Sequence, residues 1–338
     1  MKDAKRRPFW TNSSRARRAG SLDRDAVRWA YRLFLDREPN ESEDLRRLVA
    51  ASASTADLRR MFLASDEFRR RNPHDLAYTV EPTVVIAEIA PGLRLFLDLS
   101  DVTIGLNIAR RRYEESEMRF VRSVVRSGEY VLDIGANVGF FTVWMASLVG
   151  PHGHVFAYEP LEQNALLLER SLAENGLEDR VTLRRDAVAL VSGESGMVFL
   201  PLEAGSQNSG GAYLVDSDGE IPPGHRVVRS RVVSLDGEEF LRPIRFIKID
   251  VEGAEPLVFR GARRLLEEDR PVILCEINPE QIAKVGATTA RELIREMASL
   301  GFECRLLGGE GPGEPVEDAT DDRVRSVVFA PRSVGPTT

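Results

Sequence analysis

Val131-Leu132-Asp133-Ile134-Gly135-Ala136-Asn137-Val138-Gly139 is the stretch on which the architecture of this chain turns. The apolar run Val131 to Ile134 reads as a short buried strand. Gly135 and Gly139 frame a tight turn, and the apolar stretch 140–148 reads as a helix packed behind it. His154-Val155-Phe156-Ala157-Tyr158 then forms a second apolar strand that closes on Glu159-Pro160. Strand, glycine turn, helix and a second strand ending in an acid make one nucleotide-binding half of a doubly wound sheet. The acid has a physical task, because its two oxygens can accept both hydroxyls of a ribose.

The details of the turn narrow the ligand. A dinucleotide site wants a second glycine where backbone approaches a pyrophosphate, and here Asn137 stands in that place. S-adenosylmethionine has no phosphate, so the constraint relaxes. Asp133 suits its cationic methionyl end, Gly135 and Gly139 let backbone come close, Ala136 and Asn137 of the same turn are counted with the cofactor-binding residues, and Glu159 takes the ribose. Asp186, followed by Ala187 at the end of the next strand (181–184), is placed to accept from the adenine amino group. Any one of these acids is read equally well as a turn or helix cap; together, at these spacings, they point to an adenosyl ligand.

A second run, Lys248-Ile249-Asp250-Val251-Glu252-Gly253-Ala254-Glu255, delivers charge to the C-terminal end of a buried strand, where open α/β sheets bind ligands. Lys248, Asp250 and Glu252 share strand parity and point to one face if the strand persists. Burying three charges is costly unless they pair or do chemistry. Transfer from a sulfonium to a hydroxyl needs a base, and Asp250 is the first candidate. Lys248 would tune it or touch substrate, and Glu252 would bind acceptor hydroxyls. The plain alternative is a structural Lys248–Asp250 ion pair. Glu276 and Asn278 end the next strand near the same rim, and with Asp250 they could offer oxygen ligands to a divalent metal, although no metal is assigned.

These residues make the chain resemble the FkbM family of S-adenosylmethionine-dependent methyltransferases. The matching elements are Asp133 to Gly139, Tyr158-Glu159-Pro160 with Asn164, Ser234-Leu235-Asp236, Lys248 to Glu255, Gly261-Ala262 and Glu276, with Arg112-Tyr113-Glu114 and Glu117 as a lead-in. The resemblance implies O-methylation of a hydroxyl on a sugar, glycan or glycosylated or polyketide natural product. It also places Pro160 and Asn164 with the cofactor-binding residues. Residues 26–68, with Tyr31 to Pro39 and Phe62 to Phe68, resemble a helical domain of unknown function found on bacterial surface-polysaccharide and secreted proteins, which implies a possible protein partner.

The rest of the chain supplies the frame. Its 338 residues carry a net charge of −7, with 43% hydrophobic and 29% charged residues, which suits a soluble globular protein that does not bind nucleic acid wholesale. Residues 1–20 read as a disordered basic tail and 21–75 as a small helical domain. In the latter, Ala26, Trp29, Ala30, Leu33 and Phe34 recur at helical spacing, a second helix carries Leu45, Leu48 and Val49, and a third starts at Ser54. Residues 76–128 read as a hairpin turning at Pro91-Gly92 and a helical lead-in, 129–332 as the methyltransferase domain and 333–338 as a tail.

Within 129–332, strands near 154–158, 181–184, 197–202, 227–233, 245–250, 272–277, 302–307 and 324–330 alternate with helices near 161–175, 254–267 and 289–300. The fold class is therefore α/β: a mostly parallel, Rossmann-like methyltransferase sheet with an antiparallel last strand. The polar segment Ala204 to Ala212 is a candidate lid. Cys275 and Cys304 sit in apolar runs and read as core thiols of a reducing compartment; with no apolar span of about 20 residues and no apolar signal core, the expected location is cytoplasmic. An NAD-dependent oxidoreductase and a non-catalytic binding protein working through the helical domain are the rival readings.

Overall fold

A mostly parallel sheet is stable only if helices cover both of its faces, and such a sheet is what the computed structural model of the chain contains. It describes residues 24–35, 37–39, 48, 58, 61–62, 65, 67, 77–79, 83–101, 103–111, 113–199, 211–215, 221, 223–308, 311–316 and 323–332. The chain divides into two units, Met1–Pro82 and Thr83–Thr338.

In the first unit, helix α1 (Arg24–Leu35) buries Val27, Ala30, Tyr31 and Leu35 with Leu48, Leu58 and Phe62. The spacing of three, four and eight residues puts the four α1 side chains on one face. Tyr31 meets Phe62 edge-to-face at 4.8 Å, and Arg37 grips Glu67 with two hydrogen bonds of 2.6 and 2.7 Å. The expected basic tail, and the second and third helices apart from isolated residues at 48, 58, 61–62, 65 and 67, lie outside the described residues.

The second unit opens with the expected hairpin, β1 (Val84–Ala90) and β2 (Leu93–Asp98), then α2 (Gly105–Ala109) and α3 (Glu115–Val124). The quoted stretch forms β3 (Tyr130–Ile134) and leads into α4 (Phe140–Val149), followed by β4 (His154–Tyr158), α5 (Glu162–Asn175) and β5 (Val181–Arg184). Four further strands come next: β6 (Ala187–Val188), β7 (Gly193–Phe199), β8 (Tyr213–Val215) and β9 (Arg226–Val233). The charged run ends β10 (Ile244–Ile249), which is followed by α6 (Glu255–Gly261), α7 (Arg263–Asp269) and β11 (Val272–Ile277). Helices α8 (Pro279–Val285) and α9 (Ala290–Ser299) precede β12 (Phe302–Gly308), β13 (Gly311–Pro315) and β14 (Arg325–Pro331).

The main sheet has the order β13-β12-β14-β11-β10-β3-β4-β5. Its central pairs β11-β10-β3-β4-β5 are parallel, and β14 pairs antiparallel with both β11 and β12. A mostly parallel sheet with an antiparallel end is therefore present, and β13 is an additional strand inside the Gly/Pro-rich loop that joins β12 to β14. The strands expected near 197–202 and 227–233 do not join this sheet. As β7 and β9 they form a second, four-stranded sheet of order β6-β9-β7-β8. The continuous helix expected over 254–267 is broken at Ala262, whose backbone leaves helical geometry between α6 and α7.

The core of the second unit lies on the sheet's faces, where Leu132, Ile134, Ile247, Ile249, Phe259, Ile273, Cys275, Phe302 and Phe329 are almost fully buried. Cys275 and Cys304 are free and buried, as their apolar surroundings predict. Thr289 and Glu292 form the expected capping box on α9. No described helix is long and apolar enough to cross a membrane.

Candidate active site

The tips of the parallel strands are tied to one another by backbone hydrogen bonds. The amides of Gly135 and Ala136 donate to the Tyr158 carbonyl at 3.0 and 2.9 Å, that of Asp250 to Ile134 at 3.0 Å, and that of Glu159 to Arg184 at 3.0 Å. Three motifs distant in sequence thus become one rim. A cavity of about 230 Å³ opens along it, and its lining runs from Glu159, Asn164 and Asp186 past Gly135, Ala136, Asn137 and Val138 to Lys248, Asp250, Glu252 and Glu276.

Glu159 is 4% exposed and firmly oriented. One oxygen accepts from the Asn137 amide at 2.8 Å; the other accepts from the Leu161 amide at 2.9 Å and from Asn164 Nδ2 at 3.3 Å. A carboxylate has about four acceptor positions, so capacity remains for a ligand. Asn137 itself has φ +50°, a left-handed conformation that asparagine tolerates better than most residues. Its side-chain oxygen accepts the Val138 amide at 2.7 Å, so this residue both shapes the turn and aims Glu159. Asp186 is buried at the edge of the cavity, 3.8 Å from Arg231 Nε, and Pro160 and Ala187 complete that end.

Two of the expected cofactor-binding residues of the glycine stretch do not line the cavity. Asp133 is 1% exposed; it accepts a hydrogen bond from Thr142 Oγ1 and lies in register beside Lys248 on the neighbouring strand. Gly139 caps the start of α4 with φ +91° and packs on Leu168.

At the other end Lys248, 4% exposed, donates to Asp250 at 2.9 Å and sits 4.9 Å from the centre of the Phe141 ring. Burial alone would push its ammonium down, but Asp250, Glu114 and Asp133 outweigh burial and hold it above the ordinary lysine value. Strand β10 stops at Ile249, so Glu252 reaches the cavity through a turn with φ +50° and not through strand alternation. Glu276 also lines the cavity. Asn278 does not, because its side chain caps α8 by accepting the Gln281 amide at 3.3 Å. Among the described residues no group of three His, Cys, Asp or Glu side chains is arranged to hold a metal ion.

Tyr113 and Glu114 also belong to this end, together with Thr103, Phe140 and Phe141. The lead-in Arg112-Tyr113-Glu114 was the available signal for the first two; Arg112 lies outside the described residues. Met197, Ala212 and Leu214 close the cavity from the second sheet and the segment before it, for which nothing local in the sequence gives a cue. Residues 204–210 of the candidate lid lie outside the described residues. The remaining motif residues hold the frame. Ser234 Oγ donates to the Gly261 carbonyl at 2.9 Å, and Asp236 accepts the Arg264 and Leu265 amides at 2.8 and 3.0 Å to cap α7.

Acid predominates in and around the cavity. Burial pushes Glu114, Glu159, Glu255 and Glu276 up to about 7, Asp133 to about 6 and Glu252 to about 8. Between their unfolded values near 4 and these folded values the native state holds more protons than the unfolded chain, so stability falls as pH rises. His154, lowered by burial, acts in the opposite sense but is a single group. The melting temperature of the ligand-free protein should therefore drop between about pH 5 and pH 8. A cationic ligand that favours the ionised acids should bind more tightly over the same range. Scanning fluorimetry with and without S-adenosylmethionine reads both, and a melting temperature that climbs toward pH 8 without ligand would contradict this account.

A doubly wound sheet with a buried, oriented acid at one strand tip and a charged rim two strands away has the layout of a nucleotide-binding transferase of the α/β class. The methyltransferase FkbM domain pattern matches residues 133–304, half of the chain, and the protein belongs to this family of S-adenosylmethionine-dependent methyltransferases. Over 222 residues the chain is 28% identical to the AMB antimetabolite synthetase AmbE of Pseudomonas aeruginosa; this covers 55% of the chain but spans only 10% of that relative's length. Among solved structures it is similar to the methyltransferase FkbM from Methylobacillus flagellatus KT (15% identity, TM-score 0.38, covering 66% of this chain and 52% of that one). It is also similar to an O-methyltransferase from Bacillus cereus in complex with SAH (16% identity, TM-score 0.35, 64% and 78%).

Proposed function

We propose that the protein transfers the methyl group of S-adenosylmethionine to a hydroxyl of a sugar, glycan or glycosylated natural product, with Glu159 and Asp250 at opposite ends of one cavity. The observation that carries this reading is the continuity of the lining from Glu159 and Asp186, along Gly135 to Val138, to Lys248, Asp250 and Glu252. With three of its roughly four acceptor positions taken by protein donors, Glu159 keeps room for a ribose hydroxyl, and Asp186 is placed for the adenine amino group. The turn 135–138, with Pro160, Asn164 and Ala187, packs against the nucleoside. The acids at the far end favour the sulfonium and ammonium charges by simple electrostatics.

The bound cofactor supplies an electrophilic methyl group. Attack by a hydroxyl oxygen forms the C–O bond as the C–S bond breaks, and the released proton needs an acceptor. Asp250 takes that proton, Lys248 holds the Asp250 carboxylate in place, and Glu252 accepts hydrogen bonds from the acceptor's other hydroxyls.

Glu159→Gln tests the cofactor end. An amide cannot accept from the Asn137 and Leu161 amides on both of its arms, and it offers an N–H where a lone pair is required. Affinity for S-adenosylmethionine should fall about 10- to 100-fold by calorimetry, in line with the loss of a hydrogen bond to a charged group. Wild-type-like affinity would remove Glu159 from the site. The acceptor atom is tested by methyl-labelled S-adenosylmethionine and a glycan panel; label recovered on nitrogen or carbon would refute O-methylation.

A further inference from the structure

A second cavity of about 710 Å³ abuts the first, and its character is opposite. Tyr113 and Phe140 line both, their rings meeting edge-to-face at 5.3 Å, so the two chambers share an aromatic wall. On one side of it lie Glu114, Asp250, Glu252 and Glu276. On the other lie Arg111, Arg119 and Arg122, with Glu115 the single acid among the described lining residues.

Helix α3 explains this segregation. Glu115, Arg119 and Arg122 recur at spacings of four and three and occupy one face, while Glu114 at the helix start looks into the first cavity. Beyond the arginines the wall is Trp144 of α4, with the Arg122 guanidinium 5.3 Å from its ring centre. The indole Nε1 is buried with no hydrogen-bond partner among the described residues.

We propose that this second cavity holds the anionic portion of the methyl acceptor, an oxyanion group (phosphate or carboxylate) carried on a sugar-like body. Its reactive hydroxyl passes the Tyr113–Phe140 wall to reach Asp250. The inference rests on the methyl-transfer reading above for the identity of the ligand as acceptor, while anion binding by the cavity stands independently. Guanidinium groups bind phosphate and carboxylate bidentately, and three of them around one chamber favour such a group over a neutral one. The acidic chamber takes the cationic cofactor, and the basic chamber takes an acceptor of opposite charge.

The test is calorimetric titration of the full-length protein, saturated with S-adenosylhomocysteine, with glucose, glucose 6-phosphate, glucuronate and inorganic phosphate at fixed ionic strength. Saturable binding is expected for the anions and not for glucose; the phosphate and carboxylate arms say which oxyanion is preferred. In Arg119→Gln/Arg122→Gln, exposed substitutions that keep a long side chain, anion affinity should fall about tenfold or more while S-adenosylmethionine affinity is unchanged. No saturable response to any anion, an equal response to glucose, or affinity that survives the double substitution would overturn the proposal. Absence of S-adenosylmethionine binding by the wild type would instead defeat the methyl-transfer reading and leave the anion result standing.

Discussion

Asp250→Asn should lower kcat by a factor of about 10² to 10⁴, the usual worth of a general base, while S-adenosylmethionine binding should stay close to that of the wild type. The substitution keeps the shape of the side chain and a carbonyl oxygen able to accept from Lys248 Nζ, now 2.9 Å from the carboxylate. The capacity to take a proton is lost. Lys248 remains charged beside Glu114 and Asp133, the other acids that hold its ammonium, so the local fold keeps its balance. A purely structural Lys248–Asp250 pair predicts the reverse pattern: a lowered melting temperature with little change in kcat. Single-turnover methyl transfer, with cofactor affinity measured on the same sample, separates the two. A variant that kept most of its activity would move the base elsewhere, with Glu114 and Glu276, which line the same cavity, as alternatives.

The contrast between Asp250 and Asp133 marks how far the sequence could be read. Both follow apolar strand residues, and both look like ligand acids at strand ends. Asp133 is the fourth residue of a five-residue strand, so its side chain turns inward to Thr142 and Lys248, whereas Asp250 stands one residue beyond its strand and faces the cavity. Relative to the last residue of its strand, Asp133 sits one position before and Asp250 one position after; the two-residue difference keeps the parity but moves the carboxylate from the packed strand to the open rim, and local pattern does not fix such ends.

The parallel core was legible because buried strands are continuous apolar runs of fixed length, and the turn was legible because glycine and asparagine serve left-handed backbone. The second sheet was not. Membership of one sheet or another is a long-range property, and β6 and β8 have two and three residues, too few to show a period. Asn137 was legible only in part. Its place in the turn argues against a pyrophosphate, but its grip on Glu159 through the backbone amide depends on a strand tip 22 residues away.

Gly135→Ala should be the most destabilising single substitution in the glycine turn, costing more than about 3 kcal/mol. Two effects add. Gly135 has φ +83°, which an alanine adopts at a cost of about 1 to 2 kcal/mol. A Cβ there would also lie 1.8 Å from the carbonyl oxygen of Asp250 and 2.9 Å from its carbon, well inside contact distance. The obstructing atoms are backbone, pinned on the other side by the Asp250 amide donating to Ile134, so relief requires the tips of β3 and β10 to separate. Gly92, in the β1–β2 turn, isolates the first effect: its φ is +75° but nothing lies within 4 Å of the added carbon, so Gly92→Ala should cost only about 1 kcal/mol. Urea midpoints for the two variants give the difference directly, and equal losses would mean that the strand tips yield freely. The same contact explains why an Asp-Ile-Gly-Ala-Asn turn and a Lys-Ile-Asp-Val-Glu-Gly run occur together although more than a hundred residues separate them. The glycine leaves the room that the Asp250 backbone occupies, so displacing it should also misplace the proposed base and lower kcat in any Gly135→Ala protein that still folds.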